Sequence, residues 1–360
     1  MPSNLPGPYT RPIAWWLVAC AAMIFVMVIL GGATRLTESG LSMVEWKPLT
    51  ILPPMNDADW QTEFQSYQTS PEFQKKNSWM TIEDFKDIYW LEFIHRLWGR
   101  LIGVVFAVPF AWFAYKKALD RPLALKLAGL FILGGAQGAL GWFMVASGLQ
   151  DRPDVSQYRL AAHLILAFIV YGLILWVALD LFRSTRLRSL PITSNTRFAR
   201  LTLGVTGTVL FVALSGAFVA GLNAGLIYNT FPLMDGQLIP NGLYSPQPWY
   251  IAMFEDIMTV QFNHRVLAVS AVFLILITWW QSRTLYIGKR AQALVKRLVL
   301  MAFLQAALGI STLLMVVPFG LALAHQAGAL ILFTIALCLT HEVRTPAAAT
   351  APGLHQNPAE

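Results

Sequence analysis

Eight stretches of this sequence are each apolar over about the length of a bilayer crossing, and that repetition decides most of what the chain can become. They lie at roughly 13–33, 93–114, 127–146, 160–181, 199–221, 263–281, 298–317 and 322–340. A helix needs about 20 apolar residues to cross the hydrocarbon core. No water reaches that core, so backbone polar groups must pair internally, which restricts crossings to helices and closed barrels. Long unbroken apolar runs, without short alternating strands, select helices. Composition agrees, since 56% of the 360 residues are hydrophobic and 12% charged, far too apolar for a soluble domain of this size. Arg11 and the small residues Gly31-Gly32-Ala33 give the first stretch a signal-peptide look. It is long for a signal core and has a counterpart later in the chain, so it is read as a span.

The net charge of +7 sits in short runs between spans and forms no basic face, so the expected partner is the lipid bilayer and no nucleic acid. Loop charges orient the chain. The loop after span two holds Lys116, Lys117, Arg121 and Lys126 against Asp120. The loop after span four holds Arg183, Arg186, Arg188, Arg197 and Arg200, and that after span six holds Arg283, Lys289, Arg290, Lys296 and Arg297. The alternate loops are acidic, with nine acids against four lysines in 36–91, and Asp235, Glu255 and Asp256 without a base in 223–262. Both termini of this multi-pass protein are therefore expected in the cytoplasm, with the long loops outside. Cys20 and Cys338 are far apart and embedded in apolar segments, so neither a disulfide nor a thiolate metal site is expected.

The chain repeats itself. Phe93-Ile94-His95-Arg96 opens span two and Phe262-Asn263-His264-Arg265 opens span six. Gln137-Gly138-Ala139-Leu140-Gly141 in span three matches Gln305-Ala306-Ala307-Leu308-Gly309 in span seven, and Ala162-His163 matches Ala324-His325. Gly40-Leu41 and Gly225-Leu226 follow spans one and five alike. Each half has an even number of spans, so the repeats run parallel about an axis along the membrane normal. The fold class that follows is an all-α integral membrane protein whose eight transmembrane helices form two pseudo-symmetric four-helix bundles. The expected division is 1–190, 191–345 and a disordered tail at 346–360.

Six histidines occur. His341 and His355 lie in or beside the polar C-terminal tail and read as solvated side chains. The other four fall near the beginnings of spans two, four, six and eight, which places all four imidazoles at one depth near the outer face. Taken singly, an embedded histidine is usually a packing residue. Four at repeated positions point to function, because ionisable groups are costly in a membrane. Neutral imidazole is a common axial ligand of haem iron, and two facing helices can hold a macrocycle within a bundle. His95 with His163 makes one candidate site and His264 with His325 the other. No cysteine or carboxylate cluster completes a tetrahedral zinc set in either half. Gly134, Gly135, Gly138 and Gly141 suit either close helix approach or space for a flat ring. Arg96, Arg100 and Arg265 suit either haem propionates or interfacial snorkelling.

The halves differ at one chemical position. Glu92 stands three residues before His95, and Gln261 holds the matching place before His264. A carboxylate beside one site alone suggests that this site reacts while the other serves it; the plain alternative is an ion pair with Arg96. Glutamine at position 92 would copy residue 261 with nearly the same size and hydrogen bonding. The first outer loop carries Trp46, Trp60, Trp79 and Trp90 among its charges, and reads as a folded cap or a lid.

These residues resemble the haem A synthases of the respiratory oxidase assembly pathway. The likeness runs over all eight spans and is sharpest at Glu92-Phe93-Ile94-His95-Arg96-Leu97-Trp98-Gly99-Arg100, Gly31-Gly32-Ala33-Thr34-Arg35-Leu36-Thr37 and Asn263-His264-Arg265. The long first loop without cysteines is similar to the alphaproteobacterial and mitochondrial branch. The resemblance implies oxidation of a ring methyl of haem O, the substrate, to the formyl group of haem A, the product. It implies a permanent haem b at His264 and His325, haem O at His95 and His163, and Glu92 as the residue important for turnover. Haem O synthase and oxidase assembly factors are implied as partners; an unidentified electron partner is expected beside them, and a homo-oligomer is open as the assembly. The competing class is a dihaem b-type membrane electron carrier, which gains most from haems at opposite faces, whereas all four histidines here share one depth. The orientation is tested by reporter fusions: those after residues 190 and 287 are expected to read cytoplasmic and one after 240 external. Reversed signals would overturn it.

Overall fold

A computed structural model of the chain describes residues 7–45, 52–148, 155–184 and 195–344. Among the described residues, eight helices are long and apolar enough to span a membrane. These are α1 (Thr10–Leu36), α3 (Ile82–Tyr115), α4 (Arg121–Gly148), α5 (Gln157–Ser184), α6 (Thr196–Gly221), α8 (Ile257–Thr284), α9 (Lys289–Leu314) and α10 (Phe319–Val343). Two shorter helices, α2 (Asp57–Gln68) and α7 (Trp249–Glu255), lie in the long loops. The chain is thus a multi-pass membrane protein. Trp46, Arg186, Arg188, His355, the boundary at 190/191 and the tail 346–360 lie outside the described residues.

Caps set where several helices begin. Thr81 and Asp84 form a reciprocal capping box that starts α3 well before the apolar stretch at 93. Asn195 and Asp256 accept from backbone amides of the first turns of α6 and α8, satisfying donors that a helix start leaves open. The early start of α3 is the main departure from the expected spans. Its first three turns carry Phe85, Ile88 and Tyr89, which pack with Trp60, Phe64 and Tyr67 of α2 and with Phe93 into an aromatic cluster. The described part of the loop, α2 above all, is therefore folded against the continuation of α3.

The helices pack as the repeat requires. α1 and α4 each pack on both α3 and α5, closing one ring; α6 and α9 each pack on both α8 and α10, closing a second. The rings meet where α5 lies on α6, α1 on α10, and α5 beside α10. Exchanging α1 with α6, α3 with α8, α4 with α9 and α5 with α10 returns the same set of neighbours, as a two-fold axis would. One continuous core runs through both rings, from Leu17 and Phe168 to Phe333, Leu298 and Val205. Lipid tails are as apolar as leucine, so close fit rather than expulsion from water holds such helices together. Gly172 of α5 supplies that fit: a Cβ there would meet Phe333 of α10 at 3.1 Å.

His341 does not read as the sequence suggests. It is buried at the end of α10, its Nε2 is 2.9 Å from Asp180 Oδ1 of α5, and its ring stands edge-on to Trp176 at 4.9 Å. Arg183 donates to the backbone carbonyl of His341 at 3.1 Å. The polar composition of the following tail hid this, because the partners come from a helix of the other half.

The halves approach backbone to backbone at Gly221, the last residue of α6, where a Cβ would lie 2.6 Å from Gln157 Cβ and 2.8 Å from its Cα. Backbone cannot swing aside as a side-chain tip can. Gly221→Ala is expected to cost about 1–3 kcal/mol through overpacking. Thermal unfolding in detergent checks this, and an unchanged midpoint would reject the contact.

Candidate functional site

Each of the four embedded histidines lies against a glycine of the preceding odd-numbered span. A Cβ on Gly31 would meet His95 Cε1 at 3.3 Å, and one on Gly141 would meet His163 Cε1 at 3.0 Å. In the second ring, Gly216 faces His264 Cε1 at 3.1 Å and Gly309 faces His325 Cε1 at 2.7 Å. Any side chain at these positions would push the imidazole out of place. His95 and His163 lie within electrostatic reach of each other, as do His264 and His325. The expected pairs are thus brought together within their own rings.

The ring nitrogens are held in two ways. Thr34 donates its hydroxyl proton to the Leu30 carbonyl (2.8 Å), so toward His95 Nδ1, at 3.1 Å, its oxygen accepts. Ser215 donates to the Val212 carbonyl and stands 2.8 Å from His264 Nδ1. In both cases Nδ1 carries the proton and Nε2 keeps its lone pair, the tautomer a metal ligand needs. His163 and His325 face amides instead. Gln137 Nε2 donates to the His163 carbonyl at 3.0 Å and lies 3.2 Å from its Nδ1. Gln305 does the same to His325 at 2.8 and 3.1 Å. The carbonyl oxygens of both glutamines are buried without a partner among the described residues. Turning either amide would set that oxygen against the backbone carbonyl of the histidine itself, so the amide contacts hold His163 and His325 without fixing a ligand tautomer. In each ring one imidazole, His95 or His264, thus offers a free Nε2 and a second lies near it, a donor set suited to an axial pair. No group of three or more His, Cys, Asp or Glu suited to a metal ion occurs among the described residues.

A Cβ on Gly134, Gly135 or Gly138 would have nothing within 4 Å, so close helix approach is not their role. The matching positions on α9 are Ala302, Phe303 and Ala306, and α9 packs more extensively on its neighbours than α4 does.

Glu92 and Gln261 occupy equivalent places with opposite hydrogen-bond polarity. Arg96 donates to Glu92 Oε1 at 2.6 Å and to the Met43 carbonyl at 3.0 Å. Arg265 donates to Gln261 Oε1 and to the Tyr228 carbonyl, each at 2.6 Å, and its other terminal nitrogen reaches the Thr230 carbonyl at 2.8 Å. Both arginines thus anchor the loop that follows the first helix of their ring. The remaining oxygen of Glu92 accepts from Ser42 Oγ at 2.6 Å and from Met43 N–H at 2.8 Å. The Gln261 amide nitrogen instead donates to the carbonyls of Ala224 and Ile227, both at 2.6 Å. Glu92 is 3% exposed, and three donors converge on it. The ion pair with Arg96 is real, and glutamine cannot match it: one of its two ends would present N–H groups to donors.

The cytochrome oxidase assembly protein family (COX15-CtaA) matches residues 14–337. The chain belongs to this family. The heme A synthase of Nitrosospira multiformis is 51% identical over 93% of this chain and 94% of its own length. That of Paramagnetospirillum magneticum is 51% identical over 95% and 96%, and heme A synthase COX15 of Arabidopsis thaliana is 44% identical over 97% and 79%.

The imidazole partners escape the sequence reading of this family member to different degrees. Gln137, Gln305, Gly141 and Gly309 stand inside a repeated motif, so their recurrence carries a signal. Thr34 lies three residues after Gly31 whereas Ser215 lies one before Gly216, and no alignment of the halves pairs them. The polarity at residue 261 gives a direct test. Gln261→Glu keeps the acceptor for Arg265 but sets its other oxygen against two carbonyls, and is expected to lower stability by about 1–3 kcal/mol, the scale of buried acceptors left without a donor. A melting midpoint within error of wild type would reject this reading of the loop anchor.

Proposed function

We propose that this protein is a haem A synthase that oxidises a ring methyl of haem O to the formyl group of haem A in the inner membrane of a bacterium. The observation that carries the reading is the pair of matched imidazole sites, one of which alone has a buried carboxylate three residues from its first histidine. The family and the names of its relatives support the reaction. In this reading 1–190 and 191–345 are the two functional halves, both termini face the cytoplasm, and the histidines and caps lie at the outer side.

His264 and His325 would hold a resident haem b, with Ser215 fixing the His264 tautomer. Haem b, when bound, supplies one-electron chemistry. His95 and His163 would hold the substrate haem O, with Thr34 setting the first ring. The Nε–H of Arg265 is buried without an acceptor among the described residues, which suits a propionate of the resident haem. Arg96 would act on the substrate side chiefly by holding Glu92 and the Met43 carbonyl in place. Glu92, as a carboxylate gathered by Arg96, Ser42 and Met43, stabilises positive charge at the substrate edge or takes a proton from it. Haem O synthase would supply the substrate and oxidase assembly factors would receive the product, with an electron partner outside the chain and a homo-oligomer as the assembly.

Pigment analysis of purified variants tests the division of labour. Replacing His264 or His325 is expected to remove most bound haem b. Replacing His95 or His163 is expected to leave most haem b in place while haem A falls to background. Glu92→Gln is expected to accumulate haem O or its hydroxymethyl form, with turnover down about 10²–10⁴-fold. Equal loss of haem b from all four histidine variants would overturn the assignment.

A further inference from the structure

Glu72 is a second buried carboxylate in the N-terminal half, 2% exposed, and nothing above uses it. It precedes the π-helical turn Phe73–Asn77 of the cap and sits under the aromatic cluster. Tyr67 Oη donates to Glu72 Oε2 at 3.1 Å, and Asn77 Nδ2 donates to Tyr67 Oη at 2.8 Å. Four charged or titratable groups face it from the elements around it: Tyr67 of α2, Lys76 of the following turn, Glu38 of the loop after α1, and Glu92 of α3. Lys76 and Glu38 form a half-exposed ion pair at 3.5 Å. Glu72 thus lies near both Glu92 and the half-exposed Lys76–Glu38 pair, and its hydrogen-bonded Tyr67 packs in one cluster with Met43 and Phe93, which flank Glu92.

We propose that Glu72 is the proton-exchange group of the N-terminal site, taking up protons released near Glu92 and delivering them to the solution above the cap. The inference rests on the synthase reading, in which oxidation of the methyl group releases protons inside a ring of apolar helices. The step is a proton transfer alone: the Glu72 carboxylate becomes a carboxylic acid and then returns its proton to bulk water. Burial and the charges of Glu92 and Glu38 push the Glu72 carboxyl up to about 7, against the pull of the Tyr67 hydrogen bond and Lys76. A group poised there is loaded and unloaded at the pH of the medium, as an exchanging acid requires. The charge of Glu92 is one of those that disfavour a charge on Glu72. Tyr67, whose own ionisation is suppressed by burial, serves as a fixed donor that positions Glu72.

The test uses full-length protein in lipid nanodiscs, read in two ways. By infrared spectroscopy, the carbonyl stretch of a protonated buried carboxyl is expected to vanish with a midpoint near pH 7 in wild type and to be absent in Glu72→Gln. In Glu92→Gln the midpoint is expected to fall, since a neighbouring negative charge is gone; in Tyr67→Phe it is expected to rise, since a bond to the carboxylate is gone. By haem A formation against pH, wild type is expected to show a limb near that midpoint. Glu72→Gln is expected to lose the limb and run at least about tenfold slower, with haem b content unchanged. A uniform loss of rate with the limb retained would mark a structural role and overturn the proposal, as would a Glu72 midpoint unmoved by Glu92→Gln. Should Glu72→Gln fail to fold, the Tyr67→Phe limb decides: a shift to higher pH supports the proposal and an unmoved limb overturns it. Wild-type protein that forms no haem A would overturn the synthase reading and this inference together, whereas the other outcomes bear on Glu72 alone.

Discussion

An imidazole inside a bilayer must have one nitrogen satisfied by the protein if the other is to bind anything else. Much of the arrangement of this molecule answers that requirement. Water cannot serve the ring at that depth, so Thr34 and Ser215 give their own protons to carbonyls and turn acceptors toward Nδ1. The rings can come that close to the neighbouring helix because Gly31, Gly141, Gly216 and Gly309 leave bare backbone opposite each Cε1. The need for paired helices to meet at a glycine then fixes which spans are neighbours, and the two closed rings follow.

The repeat keeps this framework and varies what surrounds it. Arg96 and Arg265 anchor their loops alike, yet one reaches across to a carboxylate and the other to an amide. The loop backbones have answered: Met43 offers an N–H to Glu92 where Ala224 and Ile227 offer carbonyls to Gln261. The difference is thus built into both side chain and main chain, and a single substitution cannot convert one half into the other. The cap adds to the divergence, since the extension of α3 below its apolar stretch gives α2 a partner, whereas α8 begins almost at its membrane segment.

The spans, their pairing and the four histidines were legible because each rests on a strong periodic or repeated signal: about 20 apolar residues, or a motif present twice. Folding within loop 36–91 was legible from its tryptophans, but the buried Glu72 was not, because nothing in the local pattern marks which of the loop's acids is buried. His341 failed for a related reason. Its partner Asp180 lies on α5, in the other half of the chain, and only the contact between halves brings them together. The same limit applied to Glu92, where the sequence suggested Arg96 four residues on but could not reveal Ser42 and Met43 beneath it. Local pattern carries one turn of helix; loop backbone arriving from elsewhere leaves no trace in it.

The parallel repeat has an electrical consequence. His163, His264 and His325 each lie about two turns from the N-terminal ends of α5, α8 and α10, and His95 lies about half a turn past the start of the apolar part of α3. Four helices that cross in the same direction thus bring their imidazoles to one level. In the reading proposed above, a charge moved between the two pairs would travel along the membrane plane and cross almost none of the transmembrane voltage. A full crossing would gain or cost about 2.3 kcal/mol per charge for every 100 mV. In that reading the work is close to zero, and an energised membrane would neither drive nor oppose the exchange. Its direction would be left to the difference in local potential between the two sites, to which the charge at residue 92 and its absence at residue 261 would contribute.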